Sequence, residues 1–232
     1  MTARQQARQP ARQRLTFADP GEATGLATFL GRLLGWEKNA AVRMRAGGGV
    51  VAVFAKPARF EVLAVRTGRL LEPADAELDV TVSAGELLEG IDEDAESVTV
   101  PGEVTGPPWA GVLPPRGGWE AFGEVPPDAV RSVAAAAVGE FRERAEKLDQ
   151  RKRTRETLDA LAEEIWSRPL GRTGLPLRAA HAAHALGFLR GDGPVALLSA
   201  AGGGWLRLRT PYGSVVVRGK SESGPGLSVT PV

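Results

Sequence analysis

The chain has 232 residues, 43% of them apolar and 25% charged, which is enough for one large or two small buried cores, so a globular class is the starting expectation. It holds no cysteine, and this excludes disulfide frameworks, thiolate metal sites and thiol chemistry. A formal net charge of +1 hides an uneven distribution: residues 1–15 carry +4, 16–103 carry −7, 104–126 carry −1 and 127–232 carry +5.

The first fifteen residues repeat Ala-Arg-Gln at four-residue spacing, with Pro10 against a continuous helix and little to bury, so they read as a disordered Arg/Gln-rich arm. An acidic α+β module is expected over 16–103. Asp19 can cap a helix whose first position suits Pro20, with Glu22 completing a capping box. Leu26, Phe29, Leu30, Leu33 and Leu34 then form one apolar stripe, and Gly35 ends it. Strands follow at 41–45, 50–54, 60–66 and 78–82. Gly47-Gly48-Gly49 turns the first pair, and Lys56-Pro57-Ala58-Arg59 turns the next. Ser83 and Glu86 form a second capping box for a short helix, and a last strand lies around Val98 to Val100.

Residues 104–126 read as a connector rich in Pro and Gly, with polyproline-like geometry across 101–127. Its Trp109 and Trp119 forfeit a large apolar burial if left free, so the connector is expected against a module surface, with these two rings as partner contacts. A basic module occupies 127–232. Its helices are expected from Pro127 to Leu148, from Arg155 to Trp166 and from Leu175 to Leu189, the last apolar nearly all round and therefore central. Three strands close the chain at about 194–200, 205–210 and 214–218.

The modules share a pattern: a helix ending in Leu34-Gly35-Trp36 or Leu186-Gly187-Phe188, a strand, and a hairpin at Gly47-Gly48-Gly49 or Gly202-Gly203-Gly204. An internal duplication giving pseudo-twofold halves accounts for it. The fold class expected is α+β, two modules each pairing helices with a mainly antiparallel sheet.

Candidate chemistry is sparse. His181 and His184, the two histidines, stand at i and i+3 on a helix and could face one metal, but no carboxylate occurs between Glu164 and Asp192, so packed histidines are the preferred reading. Ser214 to Ser221 imitates the end of a phosphate loop, yet its apolar strand falls inside the loop positions and nucleotide binding is rejected. The carboxylates from Glu86 to Glu96 point in different directions and read as a solvated turn. No catalytic, cofactor-binding or metal residue is therefore assigned, and the chain is expected not to be an enzyme. The basic residues are more telling: Arg151, Lys152, Arg153 and Arg155 join two helices, Arg207 and Arg209 make one hairpin face cationic, and Arg218 and Lys220 follow its turn. Helices followed by such a hairpin allow a winged-helix-like contact with nucleic acid. A solvated basic face is the competing reading.

The duplicated halves and the closing run Trp205 to Val232, with its Thr210-Pro211-Tyr212-Gly213 turn and terminal Leu227-Ser228-Val229-Thr230-Pro231, resemble actinobacterial EspG-type secretion chaperones. The resemblance implies a cytosolic binder of small helical secreted partners, and the long basic helix pair at 128–167 departs from it. No secretory signal is visible, because Leu15 to Phe17 is followed at once by Asp19, Pro20 and Glu22. The apolar stretch around Val133 to Val138 is too short to span a bilayer. A cytoplasmic setting without a membrane partner is expected, and the preference for Arg over Lys suggests a GC-rich bacterial genome. The functional expectation is a protein-interaction or chaperone-like protein whose partner is another protein. Nucleic acid is the alternative.

Overall fold

The computed structural model describes residues 13–73 and 78–219, an α+β structure divided into two units. Among the described residues the first unit takes 13–53 together with 67–73 and 78–110, and the second takes 54–66 together with 111–219. The Ala-Arg-Gln arm as far as residue 12, Lys220 and the closing run beyond it lie outside the described residues.

In the first unit, strand β1 (Arg14–Thr16) precedes helix α1 (Glu22–Trp36), which buries Leu26, Phe29, Leu30 and Leu33 as the stripe predicts. Its start differs from expectation. The capping position is Gly21, left-handed at φ 81, and no side chain there accepts a bond. The amides of Gly21 and Ala23 instead donate to the Glu96 carboxylate at 2.5 and 3.0 Å, while Asp19 is drawn off to the Arg69 guanidinium, 2.8 Å away. The electropositive helix end takes whichever carboxylate the fold delivers. Strand β2 (Ala41–Gly47), residues 50–53 of β3 (Val50–Ala55), residues 67–69 of β4 (Leu63–Arg69) and strand β5 (Leu78–Ser83) follow, in the spatial order β5–β2–β3–β4. Alternation puts Val42, Met44 and Ala46 of β2 in the core and turns Arg43 and Arg45 outward to Asp79. Ser83 Oγ caps helix α2 (Ala84–Glu89) by accepting from the Glu86 amide, as its capping box predicts. Strands β6 (Ile91–Asp92) and β7 (Ser97–Thr99) join β1 in a small antiparallel sheet, with Val98 paired to Leu15 on one side and to Ile91 on the other.

The second unit uses residues 63–66 of β4, strand β8 (Trp119–Val125), helices α3 (Pro127–Lys147), α4 (Arg155–Trp166) and α5 (Leu177–Ala185), and strands β9 (Val195–Ala200), β10 (Trp205–Thr210) and β11 (Gly213–Arg218). The strand order is β4–β11–β10–β9–β8, antiparallel throughout. Helix α5 packs on α3 and on β11 and β10, and its Ala179, Ala180, Ala182 and Ala183 are fully buried, which makes it central as its apolar composition predicts. It stops short of Leu189. Gly187 turns left-handed at φ 73, its amide bonds the His184 carbonyl at 3.0 Å, and the Phe188 amide reaches the Ala183 carbonyl at 2.8 Å, the closing pattern of a Schellman cap.

Two further findings concern connections. Trp119–Val125, read from composition as irregular, is a strand because β9 supplies a pairing partner that the local sequence does not display. Helices α3 and α4 are tied by charge: Arg144 grips Glu164 with two bonds of 2.7 Å, and Arg168 reaches Glu140 and Glu164 at 2.8 Å each. The Arg144 bonds, followed by those from Arg168, hold the Glu164 carboxyl down at about 2.

Candidate functional site

The second unit carries a cleft of about 690 Å³, walled by α3, α4, α5 and the turn that precedes β4. Its floor is a run of rings. Trp166 at the end of α4 stacks on His181 of α5 with centroids 4.2 Å apart and planes 24° apart, Phe60 meets the same imidazole edge-on at 5.0 Å, and Phe141 of α3 lies 6.4 Å from Trp166. Burial, then the nearby Arg59 charge, then His184, push the His181 imidazole down to about 4, so the ring is neutral at pH 7. One turn along the same two helices, Arg178 of α5 clasps both oxygens of Glu163 of α4 at 2.7 Å and also pairs with Glu61. Glu61 holds a left-handed backbone, φ 52, which costs a non-glycine residue about 1 kcal/mol or more. That conformation places Arg59, Phe60 and Glu61 together on one wall.

A second feature is the sheet face bearing Trp205, Arg207 and Arg209. Period-two alternation sets these three on one side of β10, away from Leu206 and Leu208. Register places Trp205 opposite Arg218, and the guanidinium of Arg218 lies 4.5 Å above that indole. Arg207 sits 5.5 Å from the Trp119 ring and donates to Ser214 Oγ at 2.8 Å. Its pKa is pushed down to about 10, first by burial and then by Arg209. Four residues singled out in the sequence, Trp119, Arg207, Arg209 and Arg218, thus share one surface with Trp205. The β10–β11 hairpin is interior, with β9 on one side and β4 on the other, so it is not a free wing.

The other basic residues are placed differently. Arg151, Lys152, Arg153 and Arg155 are exposed in and after the α3–α4 connection. Two have structural work: Arg153 donates to the Ala145 carbonyl at 2.8 and 3.1 Å near the end of α3, and Arg155 pairs with Asp159 at 3.6 Å. Trp109 is half-buried in a single 3-10 turn, Pro108–Gly111. His184 is exposed while His181 is not, so the two histidines do not share one environment. Among the described residues no three or more His, Asp or Glu side chains gather where they could hold a metal ion.

The third feature is β8 itself. It ends the strand order and, among the described residues, pairs with β9 alone. Its register slips between Ala121 and Gly123, a bulge that leaves Phe122 unpaired and 46% exposed. The cleft residues Arg59, Glu61, Arg142 and Trp166 and the bulged Phe122 were not singled out by sequence reasoning. The turn Lys56-Pro57-Ala58-Arg59 was legible as a turn, but nothing local signals that it meets α5.

Residues 10–111 match the model of a family described as a domain of unknown function (DUF8010), and residues 114–222 match a second, likewise described as a domain of unknown function (DUF8185). No curated protein matches the chain. Among the described residues no helix is long and apolar enough to cross a membrane.

Proposed function

We propose that this chain is a non-enzymatic cytoplasmic protein that holds another protein along strand β8, a chaperone-like role being the narrower form of the same reading. The observation that carries it is an edge strand of seven residues, open on one side among the described residues, with Phe122 exposed at its bulge. Such an edge offers unpaired amides and carbonyls to an extended segment, and an exposed aromatic side chain gives that segment an anchor. Exposed Glu120 and Glu124 discourage two copies from pairing through this edge and suit a partner segment carrying Lys or Arg. Support for the non-enzymatic part comes from His181, whose ring stacks on Trp166, meets Phe60 edge-on and stays neutral, an arrangement for packing rather than for proton transfer. An ancient duplication belongs to the same proposal, supported by two glycine turns of like geometry: Gly48 and Gly49 at φ 62 and 79, Gly203 and Gly204 at φ 72 and 75.

One observation favours nucleic acid as a second reading. The Trp205–Arg218 and Trp119–Arg207 pairs put aromatic rings and cations on one sheet face, the elements of a stacking platform for single strands. One experiment separates the two: tagged full-length chain is recovered from its native host with and without nuclease, at low and high salt. A stoichiometric protein that survives nuclease and salt, and is lost on Phe122→Arg with the thermal melt unchanged, is the expected result. Recovery of the chain alone, or equal retention by the variant, overturns the proposal; retention that nuclease or salt abolishes moves the function to the Trp/Arg face.

A further inference from the structure

We propose that the cleft among α3, α4, α5 and the turn before β4 is a binding site for a small aromatic anion, a carboxylate, sulfonate or phosphate joined to a flat ring system. Three observations converge on this chemistry, none involving β8. The first is size and lining: about 690 Å³ lies within the range of small-molecule sites, and the floor is the continuous run Phe60, His181, Trp166 and Phe141. Phe60 is buried, while His181, Trp166 and Phe141 are half-buried and keep part of their surface open for a further flat ring.

The second is the placing of charge. The lining holds three guanidiniums, Arg59, Arg142 and Arg178, and three carboxylates, Glu61, Asp159 and Glu163, but they are not paired one to one: Arg178 engages both Glu61 and Glu163, and Asp159 meets Arg155, which lies off the cleft. Arg59 and Arg142, which also line the cleft, have no carboxylate partner among the described residues. Two unmatched guanidiniums at the mouth of an aromatic floor complement a negative group on an aromatic body, because a planar fork of donors accommodates oxyanions and stacks on rings. His181 adds no charge of its own at pH 7.

The third is backbone strain. Glu61 is held at φ 52 and fastened by Arg178, whose side chain is only 16% exposed. A strained residue persists where its surroundings over-determine it, and here it fixes the wall that carries Arg59.

The test is a fluorescence titration of the full chain with 8-anilinonaphthalene-1-sulfonate, an aromatic anion, against its uncharged relative N-phenyl-1-naphthylamine. Saturable one-to-one binding of the anion is expected, with the neutral relative bound at least roughly tenfold more weakly, the scale of losing a charge-assisted contact. Arg59→Gln and Arg142→Gln are each expected to weaken anion binding about three- to tenfold, with the far-ultraviolet spectrum unchanged because both side chains are exposed. Arg151→Gln, which lies off the cleft, is expected to change nothing. Absence of saturable binding, equal affinity for the neutral probe, or undiminished binding in both cleft variants overturns the proposal.

Discussion

Replacing Gly213 by alanine is expected to destabilise the protein by about 1–3 kcal/mol and replacing Phe188 by alanine by about 3–5 kcal/mol, while the double variant loses clearly less than the sum. Phe188 follows the glycine cap of α5 and is 2% exposed. A Cβ on Gly213, at the start of β11, would sit 2.6, 2.7 and 2.8 Å from three carbons of its ring, and the glycine's φ of 150 is one that L side chains rarely adopt. These close approaches involve a ring locked in the core rather than the tip of a flexible side chain, so relief requires α5 or β11 to move. Deleting the ring leaves a cavity but removes the collision, and the two costs must therefore couple. Urea unfolding followed by tryptophan fluorescence reads all three variants; strict additivity would show that ring and glycine do not meet.

The second large effect is on pH. His181 has a folded-state pKa of about 4 against an ordinary value of 6.5, so below 6.5 the unfolded chain takes up a proton that the folded chain refuses. Its contribution is fully present above 6.5, is lost as pH falls from 6.5 to 4, and changes no further below 4. The loss amounts to about 2–3 kcal/mol, the ~1.4 kcal/mol per pKa unit being discounted for the ring's partial exposure. In His181→Phe the stacking on Trp166 is kept while the titration is removed. The stability difference between wild type and variant is thus expected to shift against the wild type across that window and to be flat on either side. A difference that is flat throughout would mean that the imidazole is solvated, and the closed aromatic floor of the cleft would be wrong.

Local patterns carried the helices well, since their signals are contained within the helix. Helix α4 begins at Arg155 and ends at Trp166 as its stripe and the following Pro169 predict, and α3 starts at Pro127. Where the deciding contact is distant in sequence, the local pattern pointed elsewhere. Glu96, not Asp19, neutralises the start of α1; β9 makes a strand of the Gly- and Trp-containing run from Trp119; and Arg178 gathers Glu61 and Glu163 from separate elements. The cationic face of β10 was legible because alternation is local, whereas the indoles opposite Arg207 and Arg218 are fixed by register. Nothing in the turn before β4 marks it as the wall of a cleft, because its companions lie on α3, α4 and α5.

The claim that β8 holds a protein partner is tested most directly by hydrogen exchange on the backbone amides of Trp119–Val125, in the free chain and in the complex recovered from the native host. Strong slowing within β8, with the interior strand β10 unchanged, is the expected result. Exchange in β8 that is the same with the partner bound as without it would contradict the proposal and place the interaction elsewhere.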